Sequence, residues 1–162
     1  MFRILVVCTG NTCRSPMTEA LLKDKIKQAG RAEDFLVLSA GLAGGGSCSA
    51  SYGAAMAMME KNIDLSDHIS RQFLTDYAEA AHLILAMTGS HKRVILQQLP
   101  QVWPKVHTLA EFAGETGDVD DPFGGDAEVY CQCANQIAML VDKSWEKIVA
   151  LAGNHVDPAE HT

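Results

Sequence analysis

The chain has 162 residues, 48% hydrophobic and 20% charged, with a formal net charge of −7. That length fits one domain with a substantial hydrophobic core. The charge disfavours general binding to nucleic acid or to an anionic membrane surface, so any anion site must be local and must work against the overall field.

The run Arg3-Ile4-Leu5-Val6-Val7 predicts a buried first strand, leading into Cys8-Thr9-Gly10-Asn11-Thr12-Cys13-Arg14-Ser15. Pro16 to about Ala29 predicts a helix, with Pro in its first turn and Gly30 past its end. Residues 35–38 predict a second strand that ends in Ser39-Ala40-Gly41, and Gly44-Gly45-Gly46 predicts a loop. Tyr52 to Lys61 reads as a helix, residues 83–87 as a third strand, Ser90 to Leu99 as a helix and residues 105–109 as a short fourth strand. Asp126 to about Leu151 reads as one long final helix. The expectation is a single α/β domain over residues 1–152, with a four-stranded parallel sheet and helices on both faces, then a disordered tail over residues 153–162. In such folds ligands sit at the carboxyl ends of strands near a switch in strand order, where the Cys8 loop falls.

No apolar run approaches the ~20 residues of a membrane span, and the start of the chain does not resemble a signal peptide. Five cysteines, an odd number, point to a reducing cytoplasm rather than a disulfide framework. Cys131 and Cys133 stand two apart in a helical stretch, so they face different ways and do not pair on one ion. No metal and no cofactor is expected.

A loop that feeds a helix N-terminus presents inward backbone N–H groups and the positive end of the helix dipole, which suits a phosphoryl group. Arg14 adds a planar fork able to grip two phosphoryl oxygens at once. The same environment favours thiolate over thiol at Cys8. Ser15 is placed to donate a hydrogen bond to the Cys8 sulfur. Gly10 permits unusual backbone angles, and Asn11 tolerates a left-handed conformation. The Gly-Lys-Ser/Thr ending of a nucleotide-binding loop is absent. Phosphoryl transfer to sulfur leaves an anionic group that needs a proton. The segment Asp118-Val119-Asp120-Asp121-Pro122-Phe123-Gly124-Gly125 offers the best general acid in Asp121, which Pro122 restricts to extended geometry. Asp118 and Asp120 read as an ordinary acidic turn, with Asp126 as helix N-cap.

The motifs VCTGNTCRSPM, SAG at residues 39–41, His68-Ile69-Ser70-Arg71-Gln72, LILAM at residues 83–87 and DPFGG at residues 121–125 resemble those of the low-molecular-weight, cysteine-dependent protein phosphatases along nearly the whole chain. The resemblance implies a phosphate-binding loop over Thr9, Gly10, Asn11, Thr12, Cys13, Arg14 and Ser15. It implies Cys8 as nucleophile, Arg14 as binder of phosphate and transition state, and Asp121 as acid and then base. Asn11, Ser39 and His68 would hydrogen-bond one another and hold the loop, and Ser15 would support the thiolate. Phosphorylated protein is the implied substrate and inorganic phosphate the product.

Tyrosine-directed members of the family often carry an aliphatic residue at the position of Thr12, whereas phosphoarginine-directed members carry Thr together with Asp-Pro-Phe-Gly-Gly. This chain has both features. A buried guanidinium needs polar partners and a phenyl ring does not, so a hydroxyl at Thr12 suits phosphoarginine. Thr12, Leu42 and Phe123 are the expected walls of the substrate pocket. Gly124 replaces a second aromatic, and Leu42-Ala43-Gly44-Gly45-Gly46 supplies no aromatic wall. Phosphoarginine is favoured over phosphotyrosine. Arsenate reduction would need relay cysteines, and residues 83–99 contain none. A non-catalytic phosphoprotein-binding module would need neither Cys8 nor Asp121. A reversible Cys8–Cys13 disulfide stands as a redox option.

Overall fold

The computed structural model describes residues 1–155. Four strands, β1 (Phe2–Cys8), β2 (Phe35–Gly41), β3 (Leu83–Ala86) and β4 (Val106–Thr108), form one all-parallel sheet in the order β2-β1-β3-β4. Among the described residues six α-helices accompany them: α1 (Arg14–Gln28), α2 (Tyr52–Met59), α3 (Thr75–Ala80), α4 (Gly89–Gln98), α5 (Leu109–Phe112) and α6 (Ala127–Asn154). The helices cover both faces, as the strand–helix alternation predicts.

The two faces are legible in β1. Ile4 and Val6 join Met17, Leu22, Leu85, Ile137 and Leu140 in one buried cluster, beneath α1, α2 and α6. Leu5 and Val7 turn the other way, to Ile84, Ile95 and Val102 beneath α3 and α4. Burial on both sides explains why β1 reads as a continuous apolar run rather than an alternating one. The chain leaves β1 for β2 on one side and returns to β3 on the other, so the order switches at β1. Cys8 ends that strand in register with Gly41 of β2, at the crevice such a switch opens.

Several boundaries move. Helix α1 begins at Arg14, inside the loop motif, so Pro16 sits at its third residue. Strand β2 runs on through Ser39-Ala40-Gly41. Strand β4 is shorter than residues 105–109: Lys105 closes a 3-10 turn (Pro100–Lys105), and Leu109 opens α5 behind a Thr108–Glu111 capping box. Helix α6 continues to Asn154, so the expected boundary between 152 and 153 falls within it. The rest of the expected tail, residues 156–162, lies outside the described residues. None of the described helices is long and apolar enough to cross a membrane.

Helices α2 and α6 meet at Gly53. A Cβ there would lie 2.5 Å from Cε2 and 2.6 Å from Cγ of the Tyr130 ring. Gly→Ala gains at most about 1 kcal/mol of helix propensity, whereas overpacking costs about 1–3 kcal/mol. Gly53→Ala is therefore expected to lower the urea midpoint of unfolding; an unchanged or raised midpoint would show that α2 and α6 separate freely.

Candidate active site

Asn11 sits in the left-handed region at φ 57 and is fully buried. Gly10 does not share that conformation, so of the two residues that the sequence marks for unusual angles it is Asn11 that takes the left-handed turn. Every polar group of Asn11 is engaged. Its backbone N–H points to Cys8 Sγ at 3.3 Å. Its Nδ2 donates to Ser15 Oγ and Ser39 Oγ, each at 2.8 Å. Its Oδ1 accepts from the Arg71 N–H at 2.9 Å, and its carbonyl accepts from His68 Nε2 at 2.7 Å. The expected trio of Asn11, Ser39 and His68 is thus assembled through Asn11, with His68 half-buried and binding the backbone rather than the Asn side chain.

Cys8 is buried, and its sulfur lies 2.9 Å from Ser15 Oγ. Both loop cysteines are free thiols. Cys13 turns to other partners, Ser51 Oγ at 3.1 Å and the Tyr130 hydroxyl at 3.8 Å. Cys13 also occupies the N-cap of α1 but makes no capping bond, so no side chain competes with an anion for the amides of the first turn. Thr12 is half-buried, and its hydroxyl makes only a long 3.8 Å contact with Cys13 Sγ.

Gly41 closes the loop from the side of β2. A Cβ at this position would lie 2.6 Å from the Thr9 carbonyl oxygen and 2.9 Å from the Asn11 nitrogen. The Leu42 and Ala43 N–H groups bond the carbonyls of Cys8 and Thr9 at 2.9 and 2.8 Å. The loop therefore packs its own backbone on β2, and glycine is required by close approach.

Arg14 is only 5% exposed. Its Nη1 donates to the Val119 carbonyl at 3.0 Å, and its Nη2 stands 3.7 Å from Asp121 Oδ2. The acidic segment thereby meets the loop. Asp121 is about half exposed and caps its own turn by accepting from the Phe123 N–H at 3.1 Å. Asp118 accepts from the Gly89 N–H at the start of α4, and Asp126 caps α6 through the Val129 N–H. Asp120 contributes its carbonyl to a 3.8 Å contact from the Cys133 thiol, whose pKa burial pushes up to about 12. Of the expected walls, Leu42 is half-buried against the α3–α4 cluster, while Phe123 stands 79% exposed.

Three participants escape the sequence reading. Val119 is fully buried and ties the acidic segment to both Met87 O and Arg14; an apolar residue between aspartates was its signal. Gly41 stands in the SAG motif of residues 39–41, but the motif alone gives it no role. His91, buried in the first turn of α4, lies 2.8 Å by Nε2 from Thr9 Oγ1, and no sequence pattern distinguishes it from an ordinary helix histidine.

Burial, and then the Arg14 charge, lower the His91 pKa to about 4, against a smaller opposing pull from Asp118 and Asp121. Unfolded, this histidine binds its proton near 6.5. Stability from the neutral ring is therefore complete above that value and lost as pH falls toward 4, by about 3 kcal/mol at the limit. His91→Gln should flatten this part of the stability–pH curve; equal slopes for the variant and the parent in urea titrations between pH 7 and about 4 would refute the assignment.

The sequence model of the family described as low molecular weight phosphotyrosine protein phosphatase matches residues 3–152. A protein-arginine-phosphatase of Geobacillus stearothermophilus is 42% identical over 148 residues, covering 91% of this chain and 96% of that one. The crystal structure of a low molecular weight protein tyrosine phosphatase from T. tengcongensis superimposes with a TM-score of 0.86 at 40% identity, covering 91% of this chain and 99% of the other. The YwlE arginine phosphatase, solved as a cysteine-to-serine mutant with a phosphorylated active-site serine, gives a TM-score of 0.86 at 38% identity, with coverage of 91% and 96%. A match over nearly the whole length, with the loop of Cys8 at the crevice of the same fold, means that this chain belongs to the low molecular weight phosphotyrosine protein phosphatase family and is a phosphatase.

Proposed function

We propose that this phosphatase hydrolyses phosphoarginine in proteins through a phosphoryl-cysteine intermediate. The observation that carries the substrate choice is Thr12, which brings a hydroxyl with no strong protein partner to the loop. A guanidinium leaving group needs such an acceptor once buried, and a phenyl ring does not. The 42%-identical relative named protein-arginine-phosphatase supports the same reading.

Cys8 attacks phosphorus as the thiolate. The Ser15 hydroxyl and the Asn11 N–H, at 2.9 and 3.3 Å from the sulfur, stabilise that charge and later help sulfur leave. Arg14 and the loop amides hold the equatorial oxygens, on which charge builds in the transition state. Asp121 protonates the departing nitrogen as the P–N bond breaks, and then takes a proton from the water that attacks the S–P bond. Phosphate leaves and the thiolate is restored. The YwlE mutant bearing a phosphorylated serine in place of cysteine supports a phosphorylated residue at the position of Cys8. The odd number of cysteines fits a reducing, cytoplasmic setting.

Matched peptides carrying phosphoarginine or phosphotyrosine, with Cys8→Ser as blank, test the substrate. Phosphoarginine is expected to give the higher kcat/KM, and Thr12→Ile to erode that advantage by on the order of tenfold, the loss of about one hydrogen bond to a charged group. A phosphotyrosine preference unaffected by Thr12→Ile would sink the reading. Asp121→Ala should slow the first step most for poor leaving groups, by about 10²–10⁴-fold. Equal slowing across aryl phosphates of differing leaving-group acidity would remove Asp121 as the acid.

A further inference from the structure

Behind the loop, between α2 and the start of α6, lies a groove of about 430 Å³. Its floor and walls include Ser51, Tyr52, Met56 and Tyr130, and its polar groups include the carboxylates of Glu60 and Asp126. Among the described residues no Lys, Arg or His lines it. Tyr52 is 81% exposed and Met56 43%, an unusual amount of bare apolar surface for two neighbours on one helix. Each carboxylate has one oxygen in use, Glu60 Oε2 accepting from the Cys131 thiol and Asp126 Oδ1 from the Val129 N–H. Among the described residues the other oxygen of each has no partner.

The groove adjoins the phosphate loop. Ser51 accepts from the Cys13 thiol at 3.1 Å and donates its N–H to the Thr12 carbonyl at 2.9 Å. The hydroxyl of Tyr130 touches the same Cys13 sulfur. On the other side Gly125 and Asp126 follow directly on the Asp121-Pro122-Phe123 turn. A polypeptide that inserts a phosphorylated side chain at Cys8 can reach this neighbouring groove with a nearby residue, since extended chain advances about 3.3–3.6 Å per residue.

The chemistry of the groove selects its occupant. Long cationic side chains lay an aliphatic stem on apolar surface and keep the charged head among polar groups. Tyrosine faces attract such heads, and two half-free carboxylates complete the match. We propose that the groove receives a lysine or arginine side chain of the protein substrate, close in sequence to the phosphorylated residue. The inference rests on the reading of the Cys8 loop as a site for phosphorylated protein, and it makes the enzyme selective for phosphorylation within basic segments.

The test is kcat/KM for two peptide series, one phosphoarginyl and one phosphotyrosyl, with Lys or Glu placed in turn at each flanking position. Lys is expected to exceed Glu by about five- to tenfold at one or two positions, mostly through KM, and the gain should shrink with salt. Glu60→Lys should reverse the preference at those positions. Glu146→Lys changes the net charge equally but lies about 24 Å further along α6 from Tyr130, and it should leave the positional pattern intact. A Lys-to-Glu ratio near one at every position, or the same shift in both charge-reversal variants, overturns the groove. A Lys preference in the phosphotyrosyl series with no turnover of the phosphoarginyl one overturns the phosphoarginine reading and keeps the groove. Absence of turnover in both series overturns both.

Discussion

The shape of the phosphate loop depends on one buried asparagine. Asn11 adopts φ 57, a conformation that costs a non-glycine residue of order 1–3 kcal/mol unless its surroundings impose it. Five polar contacts impose it, from Cys8, Ser15, Ser39, His68 and Arg71. They come from four parts of the chain: the loop itself, α1, the end of β2 and the segment over residues 68–71. Glycine would take the angle without strain but would offer no side chain to bind the two serines or the Arg71 amide. Asparagine is the residue that both accepts the angle and spans the gap. The loop is therefore built by long-range contacts, and its Asn11 N–H points to the Cys8 sulfur before any anion arrives.

Preorganisation matters because the protein as a whole carries the wrong sign of charge for an anion, −7 at neutral pH. Arg14 is the local answer, and its environment is arranged to keep it unsatisfied. A guanidinium that is 5% exposed normally demands close, bidentate compensation. Here it has one carbonyl at 3.0 Å and one carboxylate only at 3.7 Å. In the proposed mechanism the remaining donors find their partners when phosphoryl oxygens enter, so the desolvation of Arg14 would be met largely by the ligand, and most fully by a transition state with three charged equatorial oxygens. His91 fits the same economy. Burial and Arg14 keep it neutral, so it braces Thr9 without adding a second charge that would compete for the anion.

How much of this is visible in the sequence follows from the range of the interactions. Strand β1 and the turn into α1 are local features, and the run of residues 3–7 followed by the Cys8 loop exposes them. The parallel sheet follows from alternation alone. The capping box at Thr108 and Glu111 is equally local, yet the apolar end of the run at residues 105–109 hides it; the box is why Leu109 begins a helix and does not end a strand. Helix α3 was not legible, because six residues hold too little periodicity to register. Gly41 and His91 escape for a different reason. Their roles are defined by the backbone of Thr9 and Asn11 and by the hydroxyl of Thr9, groups that lie 30 to 82 residues away in sequence. Asn11, Ser39 and His68 became readable as a set only through family resemblance, since nothing in their spacing predicts a meeting.

The two halves of the chemistry are held with unequal stiffness. The nucleophile end is buried on all sides: Cys8, Asn11, Ser15 and Ser39 are each at most 2% exposed. The acid end is held mainly through the backbone of one buried residue. Val119 is buried, donates its N–H to Met87 O at 3.0 Å at the end of β3, and accepts from Arg14. Beyond it, Asp120, Asp121 and Phe123 are exposed, and the turn that carries them is closed by its own short-range bonds. Few buried contacts mean a low local cost of rearrangement. The nucleophile must meet one atom, phosphorus, in one geometry, whereas the acid must follow a leaving group and then admit water. In the proposed mechanism a rigid loop joined through Val119 to a more lightly held acid satisfies both demands, and Thr12 keeps substrate discrimination on the rigid side.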